Sequence, residues 1–369
     1  MKLIHTADWQ LGKPFGRFEP DVRAALSEAR FDAIDAIGAA AETSGVEHVL
    51  VAGDVFDTEG PEDRTIVQAI SRMERYPCSW WLLPGNHDFV RSGGLWDRVR
   101  QRVNGRINVL CDAQPIELEQ GVWLLPAPLT HRRTLDDPTE VFSSMETPGA
   151  RLRIGLAHGS IREFSAQGDS GNQIAPERAR QSNLDYLALG DWHGVLEVNA
   201  RTWYSGTPEC ERFKRDPPGQ ALLVELEQGR EPKVTPFRTG RFQWIKRDWR
   251  VNDLTDFNSR CDHLLGEIDS PTTLVDLSLA GIIMLGDRMG ILGRLEDDIM
   301  HRLRYLDVRA TDLVGNPTEE DLNTLKVEGI IGVAAAKLIA RADANGSDAV
   351  LARRALERLF VEYNRGLTA

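Results

Sequence analysis

Residues 48–57 read HVLVAGDVFD, and this stretch decides the fold. His48–Ala52 is a short apolar run of the kind that forms a buried strand. It passes without a break into Gly53-Asp54-Val55-Phe56-Asp57, so a carboxylate follows the strand directly. Working outward, the pattern recurs. Lys2–Thr6 (KLIHT) leads into TADWQ at 6–10, Trp80–Leu83 (WWLL) into PGNHD at 84–88, Arg153–Ala157 into His158-Gly159, and Tyr186–Leu189 into GDWHG at 190–194. Gly121–Pro126 reads as one more strand. Asp21–Ala41 and Pro61–Arg75 carry apolar residues at helical spacing between the strands. Strands alternating with helices predict an α/β sheet covered on its faces. In open α/β folds ligands bind beyond the carboxyl ends of strands. Polar clusters at five strand ends therefore predict one convergent site.

The chain has 369 residues, enough for two or three domains, and its 41% hydrophobic and 27% charged content excludes wholesale disorder. No apolar run approaches the roughly 18–20 residues that span a bilayer, and the start MKLIHTADWQ has no signal-peptide core. Cys78, Cys111, Cys210 and Cys261 are scattered, with no CxxC pair, which suits free thiols in the cytoplasm. The net charge of −12 argues against a protein that coats nucleic acid by bulk electrostatics. It leaves open an enzyme that meets a phosphodiester through bound cations.

Ala221–Glu227 and Lys233–Phe237 alternate as antiparallel strands joined at Gly229. After about residue 240 the character changes: strands are expected at Phe242–Val251, Thr273–Ala280 and Leu303–Arg309, with helices at about Asp253–Ile268 and Arg288–Met300. Thr318-Glu319-Glu320-Asp321 has the form of a capping box. The remainder reads as helical, with Ala349–Tyr363 a second amphipathic stretch. Ile330, Ile331, Val333, Ala334, Leu338 and Ile339 suggest one apolar face, and Leu351, Leu356, Leu359 and Phe360 another. Read from the residues alone, these faces serve to close the small unit as a helical pair.

Asp8, Asp54, Asn86, His158, Asp191 and His193 are the candidate metal ligands. Two divalent ions roughly 3.5–4 Å apart need a bridging carboxylate with oxygen and imidazole donors around it. Asp54 suits the bridge; Asp8 and His193 would complete one ion, and Asn86, His158 and Asp191 the other. Taken singly, an aspartate after a strand is more often a cap or turn residue. The repetition of strand, glycine and ligand type in one order is what argues for a centre. His5, His48, His131, His263 and His301 read as structural or surface residues. Trp9 and Trp192, inside two of the clusters, are either stacking surfaces for a base or packing beneath the loops. Arg91, Arg98, Arg100 and Arg102 form either a phosphate-contacting face or a solvated one, and Arg212, Lys214 and Arg215, near Pro217-Pro218, admit the same two readings.

The series Asp8-Trp9-Gln10, Gly53-Asp54-Val55-Phe56-Asp57, Gly85-Asn86-His87-Asp88, His158-Gly159 and Gly190-Asp191-Trp192-His193 resembles the calcineurin-like metallophosphoesterases. Within them, LIHTADWQLG, VAGDVFDTEGP and YSGTPE (204–209) are similar to SbcD-type DNA-repair nucleases. The resemblance implies a metallophosphoesterase two-sheet α/β sandwich over residues 1–240. It further implies a small α/β capping, DNA-contacting domain at 241–314 and C-terminal helices at 315–369. It implies phosphodiester hydrolysis by two divalent ions, exonucleolytic or endonucleolytic, with Gln10 joining the ligand set. His87 would protonate the leaving oxygen, and Asp88 would be the neighbouring carboxylate that orients it. It also implies a homodimer working on DNA with an SbcC-like coiled-coil ATPase docked on the C-terminal helices. Gln10 and Asp191 stand where the family has histidines. Both substitute oxygen for imidazole, which favours Mn²⁺, with Mg²⁺ as the alternative, over Zn²⁺. A small-molecule phosphoesterase, or a degenerate and weakly active scaffold, is the alternative reading.

Overall fold

The structure, a computed structural model, describes residues 1–103, 105–162, 171–213, 219–316, 330–342 and 347–368. The capping box at 318–321 and the residues Lys214, Arg215 and Pro217-Pro218 lie outside them. The chain divides into two compact units, one of Met1–Glu211 with Asp216–Gln243, the other of Arg212–Arg215 with Trp244–Ala369.

In the first unit, β1 (Lys2–Thr6), α1 (Pro20–Ser44), β2 (His48–Val51), α2 (Asp63–Met73), β3 (Ser79–Leu82), α3 (Leu95–Arg100) and β4 (Ile107–Val109) come first. Pro20 sits in the first turn of α1, where its missing N–H costs nothing. Next come β5 (Ile116–Glu119), β6 (Val122–Ala127), β7 (Leu152–His158), the short pair β8 (Ser160–Ile161) and β9 (Gln173–Ile174), and the single turn α4 (Arg178–Gln181). β10 (Tyr186–Gly190), β11 (Leu196–Asn199), β12 (Thr202–Tyr204), β13 (Gln220–Glu225) and β14 (Lys233–Arg238) complete the unit. One sheet has the order β14-β13-β1-β2-β3-β4 and the other β11-β12-β10-β7-β6-β5. β1 to β4 run parallel, as do β6, β7, β10 and β12, while β13 returns antiparallel to β1 and pairs antiparallel with β14.

Alternation along the strands builds two layers of core. Ile4, Val49, Val51, Trp80 and Leu82 face the helices, packing on Phe31, Ile34 and Ile37 of α1 and Ile66, Ile70 and Met73 of α2. Leu3, Leu50, Leu222 and Val224 face the other way, onto Leu124, Ile154, Leu156 and Ala188 of the second sheet. Both faces of the central strands are buried, which is why they read as continuous apolar runs. One polar pair crosses the dry interior. The His5 ring nitrogen Nδ1 lies 2.9 Å from the Tyr186 hydroxyl and Nε2 lies 3.1 Å from the Leu189 carbonyl oxygen. Nε2 therefore donates and Nδ1 accepts the tyrosine proton.

The strands β4, β5, β11 and β12 are not expected from the sequence; each is three or four residues long and offers little periodicity to read. The parallel order of β1 to β3 sends all three carboxyl ends to one edge, where TADWQ, GDVFD and PGNHD begin. In the second sheet β7 and β10 end in register, with His158 opposite Gly190.

The second unit holds a sheet ordered β15 (Gln243–Arg250), β16 (Thr273–Met284) and β17 (Tyr305–Asn316), with α5 (Leu254–Glu267) and α6 (Leu285–Arg294). Its core gathers Ile245, Phe257, Cys261, Val275, Leu277, Ile291 and Leu295. β16 and β17 run beyond the expected ends at Ala280 and Arg309, because their parallel pairing continues from Ala280 opposite Asp312 to Met284 opposite Asn316. The helix expected from Arg288 starts earlier, at Leu285. The tail helices Ile330–Ala342 and Ser347–Thr368 pack through Ala335, Leu356 and Phe360 on Leu285. Ile330, Ile331, Val333 and Leu351 point outward instead of joining that contact. No helix among the described residues is long and apolar enough to cross a membrane.

Burial pulls the His5 imidazole down to about 3, so it stays neutral where an unfolded chain takes up a proton below pH 6.5. Between those limits the unfolded state binds more protons, and stability falls as pH falls, by about 1.4 kcal/mol per pH unit from this group. Urea unfolding of the native chain and of His5→Gln, compared from pH 7 to pH 5, should show the native chain losing stability relative to the variant as pH falls.

Candidate metal centre

The loop after β1 runs beside the loop after β2. Asp8 N–H donates to the Gly53 carbonyl at 3.0 Å, Gln10 N–H to that of Asp54 at 2.9 Å, and Leu11 N–H to that of Val55 at 2.9 Å. This short ladder outside the sheet holds Asp8, Gln10 and Asp54 at φ of 56°, 45° and 53°, and Asp191 lies at 102°. Such left-handed backbone costs a non-glycine residue about 1–3 kcal/mol and collects at functional sites. Two glycines make the approach of the sheets feasible. A Cβ on Gly53 would lie 2.2 Å from His158 Nδ1, and one on Gly190 would lie 1.9 Å from the Ala52 carbonyl oxygen.

His158 is fully buried, and its Nδ1 lies 2.8 Å from the Ala52 carbonyl oxygen. Nδ1 must therefore donate, which leaves Nε2 as the ligand atom of the neutral ring. Around Nε2 stand Asn86 Oδ1 at 3.3 Å, Asp54 Oδ1 at 3.5 Å and Asp191 Oδ1 at 3.9 Å. Asp8, Asp54 and His158 each offer a donor atom within 4.8 Å of the others. Asp8 accepts from the Asp191 N–H at 3.1 Å, Asp191 accepts from the Ser160 hydroxyl, and Asp54 Oδ1 accepts from the His87 N–H at 2.9 Å. Burial pushes the Asp8 carboxyl up to about 6 against the pull of His193 and His158. Burial alone would lower His158, yet Asp54, Asp8 and Asp191 drive it up to about 9. Clustered carboxylates, an amide oxygen and one imidazole suit a hard divalent cation. The residues present fit such an ion.

The other half of the expected ligand set is engaged differently. Gln10 Oε1 accepts from Lys13 Nζ at 2.8 Å, and its Nε2 lies 3.5 Å from His193 Nε2. His193 Nδ1 is 2.8 Å from Glu211 Oε1, and Lys13 Nζ is 2.5 Å from Glu211 Oε2. Burial opposes charge on Glu211, but His193, Arg30 and Lys13 hold it well below the usual carboxylate range. With its oxygen turned to Lys13, Gln10 presents its NH₂ toward His193, whereas the sequence leads one to expect its oxygen at the ion.

His87 stands at the margin, its Nε2 4.0 Å from Asp54 Oδ2. The group that orients it is the Asp57 backbone carbonyl, 2.8 Å from Nδ1, and not Asp88 as expected. Asp88 is fully buried, and its two oxygens accept from Gly85 N–H at 2.6 Å and Phe56 N–H at 3.0 Å. It braces the turn, and burial pushes it up to about 7. Trp9 is likewise no stacking surface. It is buried, donates to the Thr6 hydroxyl at 3.0 Å and packs edge-on against Trp80. Trp192 is 47% exposed. Arg91 is exposed and pairs with Glu59 at 2.8 Å; Arg98 and Arg102 pair with Asp63, and Arg100 with Asp112.

Sequence reasoning missed Lys13 and Glu211, which reach the centre from three residues after Gln10 and from the segment following YSGTPE. It also missed the bracing within that block. The Tyr204 hydroxyl donates to the Gly159 carbonyl at 2.7 Å, and Thr207 Oγ1 to the Asp8 carbonyl at 3.0 Å.

Fold and centre together define a metal-dependent phosphoester hydrolase of the two-sheet type. Residues 1–223 match the calcineurin-like phosphoesterase family, and the chain belongs to it. The chain is 35% identical over 94 residues to the SbcD component of the nuclease SbcCD from Escherichia coli K12, covering 24% of this chain and 22% of that protein. It is 27% identical over 143 residues to the SbcD component of the same nuclease from Bacillus subtilis, covering 38% and 31%. It is also 23% identical over 249 residues to the uncharacterized metallophosphoesterase YhaO of Bacillus subtilis, covering 62% and 58%. The chain thus spans between about a fifth and somewhat over half the length of these relatives.

Trp9→Ala should destabilise the protein by about 3–5 kcal/mol, whereas Trp192→Ala should leave the unfolding midpoint unchanged; chemical denaturation of both variants checks this. Because His158 must lose its proton to ligate, binding of Mn²⁺ should release protons near neutral pH, with affinity climbing as pH rises toward 9. Calorimetry in buffers of different ionisation enthalpy reads this directly.

Proposed function

We propose that the chain is a metal-dependent phosphodiesterase acting on DNA in repair, working as a homodimer with a coiled-coil ATPase of SbcC type. The observation that carries the hydrolytic part is the meeting of Asp8, Asp54 and His158 within 4.8 Å at the ends of strands from both sheets. Nucleic acid as substrate is supported by the similarity to two proteins named as components of a nuclease and by the exposure of Trp192, between Asp191 and His193, and of Arg91, four residues after His87. The division of labour extends this reading: 1–240 hydrolyses, 241–314 caps and contacts DNA, and 315–369 binds the partner. The outward Ile330, Ile331, Val333 and Leu351 on the tail helices supply apolar surface for that contact.

Asp8, Asp54, Asn86, His158 and Asp191 would hold the cation, Mn²⁺ or Mg²⁺. When bound, it supplies Lewis acidity at the phosphoryl oxygens and acidifies water. The chain's own residues do the rest. Asp88 and Gly85 fix the turn that presents His87, and the Asp57 carbonyl keeps its Nδ1 proton in place. His87 Nε2 borders the carboxylates without being enclosed by them, so its protonated form can deliver a proton to the departing ester oxygen. Trp192 offers a face on which a terminal base can stack.

A phosphoesterase of small molecules is the second reading, because the longer match is to a protein whose name gives only the metallophosphoesterase class and no substrate. Incubation with linear duplex DNA and Mn²⁺ separates the two. The native chain should degrade it and Asp54→Asn should not. His87→Ala should lower turnover about 100- to 10,000-fold with bound Mn²⁺ retained. Hydrolysis of nitrophenyl phosphate or nucleotides with intact DNA would overturn the DNA assignment, and failure of all substrates would mark a degenerate scaffold.

A further inference from the structure

Lys13, Gln10, His193 and Glu211 close a ring of polar contacts, in which the directions agree when His193 is neutral. Lys13 Nζ donates to Gln10 Oε1 (2.8 Å) and to Glu211 Oε2 (2.5 Å), and His193 Nδ1 donates to Glu211 Oε1 (2.8 Å). In the neutral ring His193 Nε2 is then the acceptor, and the Gln10 NH₂ faces it at 3.5 Å. An ammonium has no lone pair, so Lys13 can meet only the oxygen of the amide, and that contact dictates which end of Gln10 looks inward. Lys13 is also 3.5 Å from Asp57 Oδ1, and Arg30 lies 3.4 Å from Glu211 Oε2, so the ring is anchored at both ends.

We infer that this centre holds one resident divalent ion, on the His158 side, and that the Lys13–Gln10–His193–Glu211 ring closes the position a second ion takes in a two-metal site. Two features lead there. The amide that replaces an imidazole turns a donor toward the site. The Nε2 of His193 already faces that donor. On the opposite side, Asp54, Asn86 and Asp191 converge on His158 Nε2 as oxygen donors. Lys13 acts here as a positioning residue: it works through Gln10 on the side away from His158.

The inference deepens the phosphoester-hydrolase reading and rests on it. It is tested on the full chain, stripped of metal and titrated with MnCl₂, by equilibrium binding together with electron paramagnetic resonance. One Mn²⁺ per chain with the hyperfine pattern of an isolated ion is expected. Two ions per chain with an exchange-coupled spectrum would overturn the inference while leaving the hydrolase reading intact; failure to hydrolyse DNA, nucleotides or nitrophenyl phosphate would do the reverse. The double change Gln10→His with Lys13→Met should admit a second Mn²⁺ and produce the coupled spectrum. If that variant folds and still binds one ion, the ring is not what closes the position. The native titration stands alone if the variant does not fold.

Discussion

Everything in the first unit is organised around an electrostatic conflict. Asp8, Asp54 and Asp191 are brought up to one imidazole, where Asp8, Asp54 and His158 are almost wholly removed from water. Like charges held this close in a poorly polarisable interior repel strongly, and the protein relieves the strain in the only ways open to it. His158 keeps a proton far above its ordinary range, and Asp8 is driven upward. A divalent cation resolves the same conflict more completely, by replacing the proton with two positive charges at the focus of the donors.

The architecture supplies the means to hold that arrangement. Parallel strands deliver their carboxyl ends to one edge, and the packing of two sheets brings β7 and β10 of one against β1 and β2 of the other. Glycine at 53 and 190 removes the Cβ that would separate them. Four candidate ligand positions, Asp8, Gln10, Asp54 and Asp191, adopt left-handed backbone, so folding energy from the cores on either side of the sheets is what keeps the site in its unfavourable shape. The YSGTPE block completes the brace through Tyr204 and Thr207.

Much of this is legible in the sequence, because a buried parallel strand and the ligand that follows it are adjacent in the chain. The runs Lys2–Thr6, His48–Ala52 and Tyr186–Leu189 appear as strands within a residue of their expected ends, and Asp8, Asp54, Asn86, His158 and Asp191 meet as their shared context suggests. What escapes is whatever depends on pairing between distant segments. Glu211 reaches Lys13 across 198 positions, a contact no local pattern encodes. Nor does composition tell that Trp9 points into the helix-covered core while Trp192 points out, since both sit in equivalent motifs. Asp88 reads as a catalytic partner from its place beside His87. Its real work, accepting two backbone N–H groups, is visible only once the turn is closed.

The account is tested most directly by anomalous scattering at the manganese edge from crystals of the chain grown with MnCl₂. A peak within bonding distance of Asp8, Asp54 and His158 Nε2 is the predicted result. Manganese absent from that point, or bound only at surface carboxylates, would contradict it.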